Sequence, residues 1–347
     1  MKNDTLPVAL VMKHRSSIFL AAVVGLVFAL GSGSATAQPV SLRIATVAPP
    51  GTSFHKHLED LGAQWAKAPG GAVKLNIFPG TQGGEPQIVR RMRLGQMQGA
   101  MLTAIGLSQI NESVTALQLL PGDFKSWEEV DYVREKLEKK LEAIFLKEGY
   151  VVLFWGDAGW VRFFSTKPIT GIQDLKSMRV YASSGTPKAL ELLKSYYTPV
   201  ELEPDKILLS LRSGMIDTVP IPPFLANFAQ VATKADHMLD LKWAPVVGAM
   251  VVTKSAWDKI PAATQAYLLE TSRQAGEKIR ADSRREDDEA IQAMVSKQNL
   301  KVTTLSPEAE RAWAAEVEKV LPKIRGEIVP ADMFDDVQAA LKDFRSR

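Results

Sequence analysis

The chain has 347 residues, 46% of them hydrophobic, enough to bury the cores of two medium-sized domains. Residues 1–37 hold Lys2, Lys13 and Arg15 against Asp4, which leaves residues 38–347 at a formal charge of +1 and argues against nucleic acid as a partner. Cysteine is absent, which excludes disulfides, a thiolate metal site and a lipid-bearing cysteine anchor.

In chain order, residues 1–37 read as a cleavable export signal. Lys13 and Arg15 supply positive charge, residues 18–30 form an apolar run shorter than a bilayer requires, and Ala35-Thr36-Ala37 is a small-residue cleavage site before Gln38. Met12 is an alternative start to Met1, since the residues before it add nothing to a signal. No later segment is apolar for long enough to span a membrane, so the expected location is the periplasm.

A first half-unit follows. Residues 42–47 predict a strand, 53–67 an amphipathic helix and 73–78 a second strand. Residues 80–84 are a glycine-rich turn, 85–94 a helix closed by Gly95, and 99–103 a third strand. Residues 126–147 predict a charged amphipathic helix and 150–155 a buried strand. The flexible Gly156-Asp157-Ala158-Gly159-Trp160 reads as a first crossing between lobes.

Residues 161–165 predict a strand, and a second copy of the same plan comes after it. Strands are predicted at 178–182, 199–202 and 215–219, with helices from Pro187 and from Pro204 between them. Thr186 and Pro187 suit a helix start, and Gly214 suits a left-handed cap. Strand–helix–strand–helix–strand in one sheet implies parallel pairing. Two such half-units indicate two lobes, with the ligand site in the cleft beyond the carboxyl ends of the strands.

Residues 225–235 are helical, Trp243-Ala244-Pro245 is irregular, and residues 246–253 form an apolar strand that returns to the first lobe. A helical region from Ser255 continues past Pro261 almost to Lys297, long enough to span both lobes, with a charged middle expected to be solvated on most sides. A strand at 302–305, a helix started by Ser306-Pro307 and a short amphipathic helix over 331–347 complete the chain.

No catalytic constellation can be assembled. His55 and His57 are two residues apart, so on a helix they diverge and cannot form a metal pair. Thr52 and Ser53 lie near an imidazole but lack a third partner and a nucleophile elbow. Gly80-Thr81-Gln82-Gly83-Gly84 lacks the lysine ending of a phosphate loop and the spacing of a dinucleotide-binding turn. Arg90, Arg91 and Arg93 read as a solvated face, with a docking patch as the functional alternative. No metal and no cofactor is expected.

Several stretches, in order, carry a family resemblance. They are Ala45-Thr46-Val47-Ala48-Pro49-Pro50-Gly51-Thr52, Phe78-Pro79-Gly80-Thr81-Gln82, Arg93-Leu94-Gly95, Asp174-Leu175-Lys176-Ser177-Met178-Arg179-Val180 and Leu211-Arg212-Ser213-Gly214-Met215-Ile216-Asp217. The chain resembles the substrate-binding subunits of tripartite ATP-independent periplasmic (TRAP) transporters, the DctP-type group, from about Leu42 to Lys297. The resemblance implies an α/β, type II-like periplasmic-binding-protein clamshell with a long helix crossing both lobes. The expected division is 38–157 plus 246–285 for lobe I, and 158–245 plus 286–347 for lobe II.

The departures from the family pattern set the functional expectation. Members that bind organic acids hold the carboxylate with an arginine in the strand after the Asp-Leu-Lys motif, where this chain has Tyr181. A second family arginine corresponds to Val161, with Arg162 beside it on the opposite strand face. The polar residues that often follow the third strand of the second half-unit are replaced by Val219, Pro220, Ile221 and Pro222. This looks like the atypical branch of the family with apolar clefts, in which a tetratricopeptide-repeat periplasmic subunit can accompany the transporter.

Trp160, Trp243, Phe224, Tyr181, Pro220 and Pro222 are therefore expected to wall the cleft, although aromatics fill cores as readily as pockets. Val47, Gln82, Ile105, Arg162 and Ser183 join them as expected ligand-binding residues. The expected function is capture of a small hydrophobic or amphipathic solute, with a carboxylate left open, and its delivery to TRAP membrane subunits. An ABC-type or sensor-linked binding protein is the alternative, and a periplasmic enzyme is disfavoured by the missing constellation.

Overall fold

The computed structural model describes residues 40–347, so the expected export signal lies outside the described residues. The strands are β1 (Val40–Thr46), β2 (Val73–Pro79), β3 (Gly99–Thr103), β4 (Tyr150–Trp160), β5 (Arg162–Ser165), β6 (Arg179–Ala182), β7 (Thr198–Glu201), β8 (Thr218–Ile221), β9 (His237–Leu239), β10 (Pro245–Thr253) and β11 (Lys301–Thr303). The helices of the first half are α1 (Ser53–Trp65), α2 (Glu85–Arg93), α3 (Ala104–Ser108), α4 (Trp127–Lys147) and α5 (Pro187–Leu193). Those of the second half are α6 (Ile207–Ser213), α7 (Pro223–Phe228), α8 (Lys254–Trp257), α9 (Ala262–Gln298), α10 (Pro307–Glu327) and α11 (Ala331–Arg345).

Two sheets result, in the orders β2-β1-β3-β10-β4 and β11-β9-β5-β8-β6-β7. Each half-unit pairs in parallel as its helical crossovers require: β1 with β2 and β3, and β6 with β7 and β8. β10 enters the first sheet antiparallel between β3 and β4. The fold is α/β and two-lobed. One residue, Val161, separates β4 of the first sheet from β5 of the second, and the return strand β10 pairs beside that crossing, Pro245 opposite Trp160.

Local chemistry explains most boundaries. Ser126 and Ser306 cap α4 and α10 by accepting from the backbone N–H groups of Glu129 and Ala309. Gly214 takes the left-handed conformation, φ 71°, and stops α6. The strand expected at 215–219 begins only at Thr218, because the N–H groups of Met215 and Ile216 close back onto the carbonyl of Ser210. Those two residues complete the helix end and are not available to the ladder.

Two expectations change. The charged middle of α9 is not mainly solvated. Arg280 donates to the carbonyl of Trp155 at 2.7 Å, Ser283 to Asp157 at 2.8 Å, and Arg284 pairs with Asp157 and Asp131 at 2.8 Å. These side chains fasten the helix to β4 and α4. The second change concerns the tail: α11, assigned with residues 286–347 to the second lobe, packs on α4 over the first sheet. Met333, Val337 and Leu341 join the core of Leu107, Leu141 and Phe145. An amphipathic helix announces an apolar face but not its address.

The approach of α9 to β4 depends on a missing side chain. A Cβ at Gly276 would lie 2.8 Å from Cβ of Phe154, which belongs to β4 and cannot swing away. Gly276→Val is therefore expected to lower stability by about 2 kcal/mol through overpacking, read as a lower urea midpoint. An unchanged midpoint would show that the helix can lift off the strand without loss.

Candidate functional site

A cavity of about 210 Å³ lies where the two lobes face each other. Ile105 and the loop Gln118–Pro121 come to it from the first sheet, and β5, β6, α5 and β8 from the second. A third wall is unexpected: α10 supplies Trp313, Val317, Val320 and Ile324. This helix straddles the lobes, since Trp313 packs into the second-sheet core with Phe163 while Val320 and Ile324 join the first.

The wall is apolar in chemistry as well as in shape. Among the described residues, no Arg, Lys or His side chain lines it, and the one carboxylate that does, Glu316, is paired with Lys319 at 2.6 Å. Trp243, Trp313 and Phe163 form an aromatic cluster with ring centroids 5.6–5.9 Å apart. Alternation sorts the start of β5: Val161 just before it and Phe163 within it line the cavity, whereas Arg162 is buried and pairs with Asp240 at 3.1 Å.

Tyr181, the third residue of β6, lines the cavity while only 7% exposed. Burial pushes its phenol up, and the charges of Glu203 and Glu85 push it further, so it stays protonated and keeps a hydrogen to donate. Glu85 is itself held, accepting from the N–H of Thr103 at 2.6 Å and from its hydroxyl at 2.7 Å. Arg179, two residues before Tyr181, is half exposed and tied to Asp217 through both its backbone N–H and its guanidinium. It does not line the cavity.

Five of the residues singled out in the sequence meet in this cavity: Ile105, Tyr181, Ser183, Pro220 and Trp243. Val47 lines a second cavity, about 110 Å³, together with Phe54, Met101 and Leu225. The other five line neither. Trp160 is buried against Trp127 at 4.9 Å, Arg162 is committed to Asp240, and Pro222 is buried just before α7. Phe224 stacks on Phe54 at 5.8 Å, and Gln82 bonds to the hydroxyl of Thr81 beside it.

Gln118, Tyr196, Tyr197 and Trp313 line the cavity without having been singled out. Only Tyr196 carried a usable signal, as the end of the apolar stripe Ala189-Leu190-Leu192-Leu193 on the helix after Thr186. Trp313 carried none, since nothing local says which lobe an amphipathic helix will cover.

Beside the cavity, the lobes share an anchor. Asp287 of α9 accepts from the backbone N–H of Trp160 and of Phe224, each at 3.0 Å. Gly159 makes room for that carboxylate: its φ is +99°, and a Cβ there would overlap the Asp287 side chain. Burial pushes Asp287 up to about 7, against the opposing pull of the two N–H donors and Arg162. Across the cleft, Gln109 donates to the carbonyl of Gly185 at 2.8 Å, and Lys188 meets Glu112 at 3.4 Å.

The imidazoles take part in packing. His55 accepts from the N–H of Gly51, and His57 joins α1 to Asp282 of α9 at 2.8 Å. Among the described residues, no group of three His, Cys, Asp or Glu could hold a metal ion.

Residues 44–327 match the family described as bacterial extracellular solute-binding protein, family 7 (DctP). The chain belongs to this family. Within family 7, it is 23% identical over 315 residues to the C4-dicarboxylate-binding periplasmic protein DctP of Rhodobacter capsulatus, covering 88% of this chain and 92% of that one. It superposes with a TM-score of 0.79 on a TRAP periplasmic solute-binding protein from Ralstonia eutropha solved with (S)-2-acetolactate, at 20% identity, covering 88% and 99% of the two chains. A TRAP periplasmic solute-binding protein from Shewanella oneidensis with bound succinate gives 0.78 at 17% identity, covering 87% and 99%. Family 7 proteins and these neighbours are solute-binding proteins of transporters and not enzymes.

The Asp287 anchor has a definite pH signature. Because its folded pKa is raised above that of an unfolded aspartate, its favourable contribution is complete below about pH 4 and is lost as pH rises to about 7. Asp287→Asn does not titrate. Relative to that variant, the native chain is expected to lose on the order of 4 kcal/mol between those limits and then level off. Urea denaturation of both proteins at several pH values measures this, and a pH-independent difference would count against the shifted carboxyl.

Proposed function

We propose that this family 7 protein is a periplasmic receptor that closes its lobes on a small, largely apolar solute and hands it to a TRAP membrane complex. One observation carries the reading. Among the described residues, the inter-lobe cavity has an aromatic and aliphatic wall without Arg, Lys or His, and Tyr181 occupies the strand position that the family resemblance gives to a carboxylate-binding arginine. The match over residues 44–327 supports the transport role, and export to the periplasm rests on the sequence of residues 1–37.

Magnitudes favour the same choice. A hydrogen bond to a charged group contributes about 1.5–3 kcal/mol. Burying on the order of 200 Å² of apolar ligand surface contributes about 5 kcal/mol before the cost of association. A cleft without a cation can therefore reach useful affinity by burial alone. The sequence reading places this chain in the atypical branch that lacks the carboxylate-binding arginine, where a tetratricopeptide-repeat subunit is a further candidate partner.

Solution scattering tests closure. With the solute recovered by organic extraction of the purified protein, the radius of gyration is expected to fall on saturation; an unchanged radius would argue against clamshell closure. Titration calorimetry with the same solute tests the wall. Tyr181→Ala is expected to weaken binding by about 1–3 kcal/mol, whereas Arg179→Ala, which breaks the tie to Asp217, should act on stability. Abolition of binding by Arg179→Ala alone would replace the apolar cleft with a displaced carboxylate clamp.

A further inference from the structure

We infer that the solute is uncharged and carries a hydrogen-bond acceptor oxygen, such as a carbonyl, which is received by the side-chain amide of Gln118. This rests on the apolar-cleft reading above and narrows it to one chemical class.

The first half of the inference is electrostatic. Around the cleft, Arg162 pairs with Asp240, Arg179 with Asp217 and Lys188 with Glu112. The position expected for a carboxylate clamp holds the buried phenol of Tyr181, which carries no charge. An anion brought there loses its hydration, and among the described residues no cation lines the cavity to offset that loss. A cation is no better served, since Glu316, the one carboxylate among the described residues that lines the cavity, is paired with Lys319 at 2.6 Å. The neighbours from Ralstonia and Shewanella were solved with (S)-2-acetolactate and succinate, so the solute inferred here differs from theirs in charge.

The second half is geometric. Gln118 follows the short helical segment Glu112–Leu117, is 6% exposed and lines the cavity. Its Oε1 accepts from the backbone N–H of Val247 on β10 at 3.1 Å. Because a backbone N–H can only donate, that bond fixes which end of the amide is oxygen and turns the NH₂ group the other way. Nε2 has no acceptor among the described residues, and it is not among the fully enclosed polar atoms that lack a partner. A donor fixed in this way, on a side chain that faces an apolar cavity, selects for an acceptor on the ligand.

Three probes of similar size separate the claims: 4-phenyl-2-butanone, which is neutral with one acceptor, butylbenzene, which has none, and 3-phenylpropanoate, an anion at pH 7.5. Trp243 and Trp313 line the cavity, so tryptophan fluorescence reads all three. The ketone is expected to bind about threefold to tenfold more tightly than the hydrocarbon, and the anion more weakly than either. Gln118→Leu should bring the ketone-to-hydrocarbon ratio to about one. Gln118→Glu, which keeps an oxygen for the Val247 N–H but offers no NH₂, should do the same if the leucine variant folds poorly. A ratio that persists in both variants overturns the role of Gln118. Tighter binding of the anion than of the ketone overturns the uncharged class while leaving the apolar cleft standing. Failure of all three to bind up to their solubility overturns the apolar cleft itself.

Discussion

One carboxylate, Asp287, ties the crossing between the sheets and the start of α7 to the long helix α9. It takes the N–H of Trp160 at the crossing between sheets and the N–H of Phe224 in the first turn of α7. Pro222, which precedes α7, has no side chain able to cap it, so the helix start borrows its acceptor from α9. Arg280, Ser283 and Arg284 extend the same line of attachment along β4 toward the first lobe. A 37-residue helix, about 55 Å long, thus acts as a spine whose polar side chains set where each lobe begins.

That polar spine and the apolar cavity perform separate tasks. Charge is spent along α9, where Arg284 meets Asp131 and Asp157, Asp287 meets two backbone N–H groups, and the buried hydroxyl of Ser272 meets the carbonyl of Leu268. The cavity, by contrast, is built mainly from side chains that ask for no partner, apart from a few hydroxyls, two indole N–H groups, one amide and the paired carboxylate of Glu316. Recognition there is a matter of shape and of excluding charge, because an unpaired ion would lose more hydration than the wall could replace.

Much of the fold was legible because the two half-units announce themselves locally. Apolar runs of strand length, glycine caps at Gly95 and Gly214 and the serine cap at Ser306 all depend on near neighbours in sequence. The site was legible only where it sits at strand ends, as with Ile105, Tyr181 and Ser183. Gln118 and Trp313 were not, since each enters the cavity from an element whose placement is decided by packing far away in the chain. The charges of α9 misled for a related reason. A dense mixture of Arg and Asp reads as a wet surface, and only the partners contributed by residues 131 and 155–160 make it an internal seam.

The docking of α11 on the first lobe bears on how the chain can acquire its structure. The first sheet is drawn from residues 40–160 and 245–253, and the core beneath it is sealed by Met333, Val337 and Leu341 near the far end of the chain. Neither lobe is a continuous stretch that could fold and wait for the other. As the chain emerges from its N-terminus, the largest core stays open until almost the last helix arrives, so its structure forms late and as a unit, not lobe by lobe.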